Sequence, residues 1–66
     1  MLITVNGEEM TFKESISIGN FLKLKDLKPE SVVVELNKEI IKTEQYDNTQ
    51  LKDKDVIEVL RFVGGG

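Results

Sequence analysis

The dipeptide Asn6-Gly7 sits between two short runs of alternating residues, "LITV" before it and "MTF" shortly after. Both residues tolerate positive φ, so this is the strongest short-range signal for a tight β-hairpin. It commits the first dozen residues to two antiparallel strands. Leu2, Ile3 and Val5 supply the first strand. Met10 and Phe12 alternate with Glu9 and Thr11 in the second.

The next stretch, "SISIGNFLKLKDLKPE", changes period. Ser17 is a good N-cap, and Ile16 before it is placed to staple against Phe21 one turn later. Ile18, Phe21, Leu22 and Leu24 cluster at helical spacing, with Lys23, Lys25 and Asp26 on the wet side. Pro29 disfavours helical geometry at Lys28 and is expected to help end the segment. The helix is short and Gly19 weakens it, so packing on a sheet must hold it. "SVVVELNKEII" then returns to period two. Val32, Val34 and Leu36 face one side, Val33 and Glu35 the other, and Asn37-Lys38 turns into a short strand at Ile40 and Ile41. "KTEQYDNTQLKDKD" is polar, with one helical turn around Glu44 to Tyr46. Tyr46 and Leu51 are its anchors into the core. The last strand is "VIEVLRFV", residues 56–63.

Two strands, one helix and then more strands make an α+β protein with the helix on one face of a mixed sheet of four to five strands. The apolar first and last strands are expected as central neighbours. A chain of 66 residues is read as one domain, residues 1–66, with a C-terminal tail at 64–66.

Composition removes several functions. There is no histidine and no cysteine, so the commonest general base, the commonest metal ligand and any thiol nucleophile are missing. No metal-ligand spacing is present and no bound cofactor is expected. The 9 Lys+Arg against 12 Asp+Glu leave a net charge of −3, with no basic stripe for nucleic acid. "MLITVNGEEM" lacks the basic and apolar regions of a signal peptide, and no apolar run reaches membrane-spanning length. The expectation is a soluble cytoplasmic protein without membrane or nucleic-acid partners.

Alternation divides the last strand into two sets. Ile57 and Val59, both β-branched, suit the face beneath the helix. Val56, Glu58, Leu60 and Phe62 then share the open face. Apolar residues grouped there mark Leu60 and Phe62 as a candidate partner interface. Beyond them the chain runs "VGGG". Gly64, Gly65 and Gly66 reach about 10 Å past the strand when extended. Without Cβ atoms they can enter a slot too narrow for other residues, and Val63 and Phe62 can pack at its mouth. The group such a tail delivers is the main-chain carboxylate of Gly66. It is a poor electrophile and needs activation, most simply adenylation with ATP by a partner, since this chain has no P-loop motif, no histidine and no cysteine nucleophile.

The order of elements, "ELNKEIIKTEQY", "LKDKDVIEV" and the glycine ending resemble the ubiquitin-like β-grasp proteins. More narrowly, they resemble the ThiS-type sulfur carriers of thiamine biosynthesis, over essentially the whole chain. The resemblance implies a cosubstrate rather than an enzyme. A ThiF-like adenylyltransferase would adenylate Gly66. Sulfur from a donor such as a cysteine desulfurase would replace AMP and leave a thiocarboxylate. A ThiG-like thiazole synthase would accept that sulfur. Gly65 and Gly66 match the family's terminal pair, Gly64 is additional, and Phe62 with Val63 matches the apolar approach to the tail.

One departure concerns "DKD" before the last strand, where family members often carry a glycine at the position of Lys54. Lysine disfavours positive φ, which implies a locally different turn. Three alternatives remain open on the residues alone: the small subunit of molybdopterin synthase, a ubiquitin-like modifier conjugated to lysines, and a non-covalent interaction module. The brevity of the chain and "NKEII" lean toward the thiamine carrier.

Overall fold

A computed structural model describes residues 1–62. Five strands are present: β1 (Leu2–Val5), β2 (Glu8–Thr11), β3 (Val32–Leu36), β4 (Glu39–Ile41) and β5 (Val56–Arg61). One helix, α1 (Ile18–Leu24), and two 3-10 segments, Pro29–Ser31 and Thr43–Asn48, complete them. The sheet order is β2-β1-β5-β3-β4. β1 and β5 pair in parallel at its centre, and the remaining pairs are antiparallel. This is the mixed sheet and single helix of the ubiquitin-like β-grasp fold. The two strands furthest apart in sequence are neighbours, as their apolar content suggests.

Both hairpins turn through left-handed backbone. Asn6 and Gly7 have φ of 49° and 85°, and Asn37 and Lys38 have 52° and 73°. Asparagine accepts this region because its side chain bonds locally. Lys54, in the Asp-Lys-Asp turn, also has φ of 72°. The expected local departure is therefore corrected: lysine takes the left-handed value itself. Its neighbours hold the turn. The Asp55 carboxylate accepts from the Lys52 N–H at 2.7 Å, and the Asp53 carboxylate from the Leu2 N–H at 2.7 Å.

The start of α1 follows the expected cap. The Ser17 hydroxyl accepts from the Asn20 N–H at 3.1 Å. A second orphan donor, the Ile18 N–H, bonds to the Thr49 carbonyl at 2.9 Å. The end is different. The helix stops at Leu24, well before Pro29, in a Schellman turn. The Leu27 N–H reaches the Leu22 carbonyl at 2.8 Å and the Asp26 N–H reaches the Lys23 carbonyl at 3.0 Å, with Asp26 at φ 61°. Pro29 instead opens the following 3-10 segment, where its missing N–H costs nothing.

Ile3, Ile18, Phe21, Leu22, Val34, Leu51 and Ile57 are fully buried between α1 and the sheet. Tyr46 and Leu51 anchor the polar stretch as expected. Phe12 meets Phe21 edge to face, ring centroids 6.1 Å apart. Leu24 corrects the helical assignment, being 63% exposed. At 100° per residue it points about 120° away from the mean direction of Ile18, Phe21 and Leu22. Gly19 lies against the Asp47 side chain: a Cβ there would lie 2.0 Å from the Asp47 Oδ1, so a larger residue would require that exposed side chain to turn aside.

Candidate functional site

The last strand expected at 56–63 forms from Val56 to Arg61, and the Phe62 N–H extends its pairing to the Ser31 carbonyl at 3.0 Å. Ile57 and Val59 face the helix and are buried. Val56, Leu60 and Phe62 are 44%, 57% and 65% exposed on the opposite face. The geometry follows from the single helix, which covers only one side of the sheet.

The open face has an ordered content that the pairing register makes visible. Val33 lies opposite Leu60, and Glu35 lies opposite Glu58. On the next strand Ile40 lies opposite Glu35. Two carboxylates therefore stand side by side among Val33, Leu60, Val56 and Ile40. Phe62 forms one wall of a shallow groove that also includes Pro29, Val33, Ile40 and Ile41. Leu60 and Phe62, singled out from alternation, thus join an apolar patch. Its other members, Val33 and Ile40, come from strands whose alignment with β5 is not legible locally.

Val63, Gly64, Gly65 and Gly66, expected to form and carry the attachment site, lie outside the described residues. Among the described residues no three histidine, cysteine, aspartate or glutamate side chains gather where they could hold a metal ion. Among the same residues no helix is long and apolar enough to cross a membrane. The described surface offers exposed apolar groups and adjacent carboxylates on the open face of the sheet.

β5 is unusually well secured for a surface of this kind. At its start, the Asn37 Oδ1 accepts from the Val56 N–H at 2.9 Å and the Asn37 N–H donates to the Val56 carbonyl at 2.7 Å. Further along, the Asn6 Oδ1 accepts from the Val59 N–H at 2.8 Å and its Nδ2 donates to the Val59 carbonyl at 3.3 Å. Sequence reading assigned these asparagines to turns alone. Their second role depends on β5 lying alongside, which no local signal encodes.

Comparisons with known proteins agree with this architecture. The model of the ThiS family matches residues 3–66. The chain is 41% identical over 66 residues to the sulfur carrier protein ThiS of Bacillus subtilis, covering 98% of this chain and 100% of that one. The crystal structure of the thiamine biosynthesis protein ThiS from Geobacter metallireducens superposes with a TM-score of 0.84 at 43% identity, over 100% of both chains. A thiazole synthase of Paramagnetospirillum magneticum is 33% identical over 66 residues, which span 100% of this chain but 20% of that protein. With a mixed five-stranded sheet, one helix and full-length likeness to these proteins, the chain belongs to the ThiS family.

Proposed function

We propose that this chain is the sulfur carrier of thiazole formation in thiamine biosynthesis, and that the Gly66 carboxylate is where sulfur is attached. The observation that carries this reading is the full-length match to the Bacillus subtilis carrier, at 41% identity. The fold supplies a physical reason. The chain has no cysteine or histidine to hold or activate sulfur, so a main-chain carbonyl past β5 is the suitable place for it.

In this reading a ThiF-like adenylyltransferase joins the Gly66 carboxylate oxygen to the α-phosphorus of ATP and releases pyrophosphate. The terminal sulfur of a persulfide on a donor such as a cysteine desulfurase attacks the acyl carbon and AMP leaves. A thiol reductant then cleaves the acyl disulfide, releasing the thiocarboxylate and becoming oxidised to a disulfide with the donor thiol. The resulting thiocarboxylate is a better nucleophile than the carboxylate and stays tethered. Gly64 and Gly65 bring it through a narrow entrance, with Val63 at the mouth. Leu60 and Phe62 meet the partner surface beside that entrance. Catalysis belongs to the partners, in a cytoplasmic setting, and the carrier is their cosubstrate.

A ThiG-like thiazole synthase is the acceptor. The Paramagnetospirillum magneticum thiazole synthase supports this choice, because a segment like this whole chain makes up 20% of it. Joining carrier and acceptor raises their effective concentration. That arrangement favours thiazole synthesis over the molybdopterin alternative.

Incubation with ATP, a ThiF-like enzyme and a sulfur source should give the mass gain of one sulfur-for-oxygen exchange, located at Gly66 by fragmentation. The product should pass its sulfur to purified thiazole synthase. Transfer only to the large subunit of molybdopterin synthase would overturn the assignment. A chain lacking Gly65 and Gly66 should fold normally and fail to support thiamine synthesis; full support would refute the attachment site.

A further inference from the structure

The pairing of β1 with β5 stops where β1 turns into the hairpin, yet the hydrogen-bond pattern does not stop there. The Thr4 N–H donates to the Asp55 carbonyl at 2.9 Å and the Asn6 N–H to the Ile57 carbonyl at 3.0 Å. In a continuing parallel ladder the next bond would run from the Val59 N–H to the Asn6 backbone carbonyl. Asn6 has φ of 49° and leaves the strand direction, so its side-chain carbonyl takes that bond instead, at 2.8 Å. Its Nδ2, bonded to the Val59 carbonyl at 3.3 Å, stands in for the peptide N–H that β1 would have offered next.

We propose that Asn6 is a positioning residue: its side-chain amide extends the β1 rail along β5 and thereby fixes how Leu60 and Phe62 are presented to the partner. Val59 is the last β5 residue held from both sides. From there on, among the described residues, the strand's pairing is with β3 and Ser31, at Val33 opposite Leu60, Val32 opposite Arg61, and Ser31 with Phe62. A strand segment held along one edge opens more readily than one held along both, and the side-chain clip sits where such opening would be arrested. Asn37 is the built-in control. It has φ of 52° in the equivalent turn and clips the same strand at Val56, the end remote from the tail.

The proposal rests on the carrier reading for its functional readout, and has a second readout that does not. Asn6→Gly and Asn37→Gly both keep the left-handed turn and delete the side-chain bonds, at a similar added cost in unfolded-chain entropy. In the free protein, Asn6→Gly should speed amide exchange at Val59 and Leu60 by roughly tenfold, and Asn37→Gly should not. In pyrophosphate release by a ThiF-like enzyme, Asn6→Gly should raise the carrier's KM by roughly three- to tenfold with kcat nearly unchanged, the scale of one or two net hydrogen bonds. Asn37→Gly should leave KM near wild type even where its loss of thermal stability is similar. Asn6→Asp keeps the acceptor for the Val59 N–H and should fall between Asn6→Gly and wild type, which also serves if the glycine variant folds poorly. Equal KM changes in the two glycine variants, or an unchanged Val59 exchange rate in Asn6→Gly, would overturn the proposal. A wild-type chain that is not adenylated at all would instead remove the carrier reading and leave the exchange result to decide the clip.

Discussion

Ile57 and Val59 on one side of β5, and Leu60 and Phe62 on the other, are all apolar, yet the first pair is buried and the second is 57% and 65% exposed. Nothing in hydrophobicity separates them. What differs is the neighbour across the sheet. The Ile57 side meets α1, with Phe21 and Leu22 fully buried against it. The Leu60 side meets Val33 and a facing pair of glutamates, with no helix above among the described residues. The lesson is that one strand can bury one face of its alternation in the core and leave an equally apolar face open to solvent when one layer covers the sheet.

The largest effect should come from breaking the covered face. Val59→Asp places an unpaired charge in a small core and should cost about 3 kcal/mol or more, enough to unfold a domain of this size. Thermal melting followed by circular dichroism reads this directly, and a cooperative transition near wild type would show that the covered face is more tolerant than its burial implies. On the open face, Leu60→Glu and Phe62→Ala should leave stability within about 0.5 kcal/mol. Titration calorimetry with thiazole synthase or a ThiF-like enzyme should nevertheless show weaker binding, by roughly tenfold for a truncated apolar anchor. Binding that survives both substitutions would move the interface elsewhere. The smallest effect tests the facing carboxylates. Glu58→Gln removes like-charge opposition to Glu35 and should raise stability by a few tenths of a kcal/mol, about the low end for a cross-strand pair. A denaturant midpoint that falls instead would mean the two side chains do not oppose each other in solution.

Much of this arrangement was legible residue by residue. Asn6-Gly7 declared the first hairpin because few dipeptides accept two left-handed residues. Ser17 declared the helix start because a hydroxyl there satisfies an orphan N–H. Tyr46 and Leu51 stood out as apolar residues in a polar stretch, and both are buried. The misreadings share a cause. Leu24 groups by spacing with the buried helix positions because it lies three residues after Phe21, but seven helical residues are too few to average out direction. Pro29 reads as helping to end the helix because its own constraint is local and obvious. The Schellman turn at Asp26 depends on carbonyls one turn back and is less visible. Gly19 reads as a weakness because propensity considers the helix alone, whereas its bare Cα also leaves room for the Asp47 side chain.

The sequence by itself determined the elements, the alternation that sorts β5 into two faces, and the chemistry available to the chain. These rest on dihedral preference, period and side-chain inventory, which are properties of a residue and its near neighbours. Only the tertiary structure decided that Val33 and Ile40 join Leu60 in one patch, that Glu35 faces Glu58, and that Asn6 and Asn37 reach β5. Those relations depend on register between strands distant in sequence. Register is set by how the whole core closes, and no single segment contains that information.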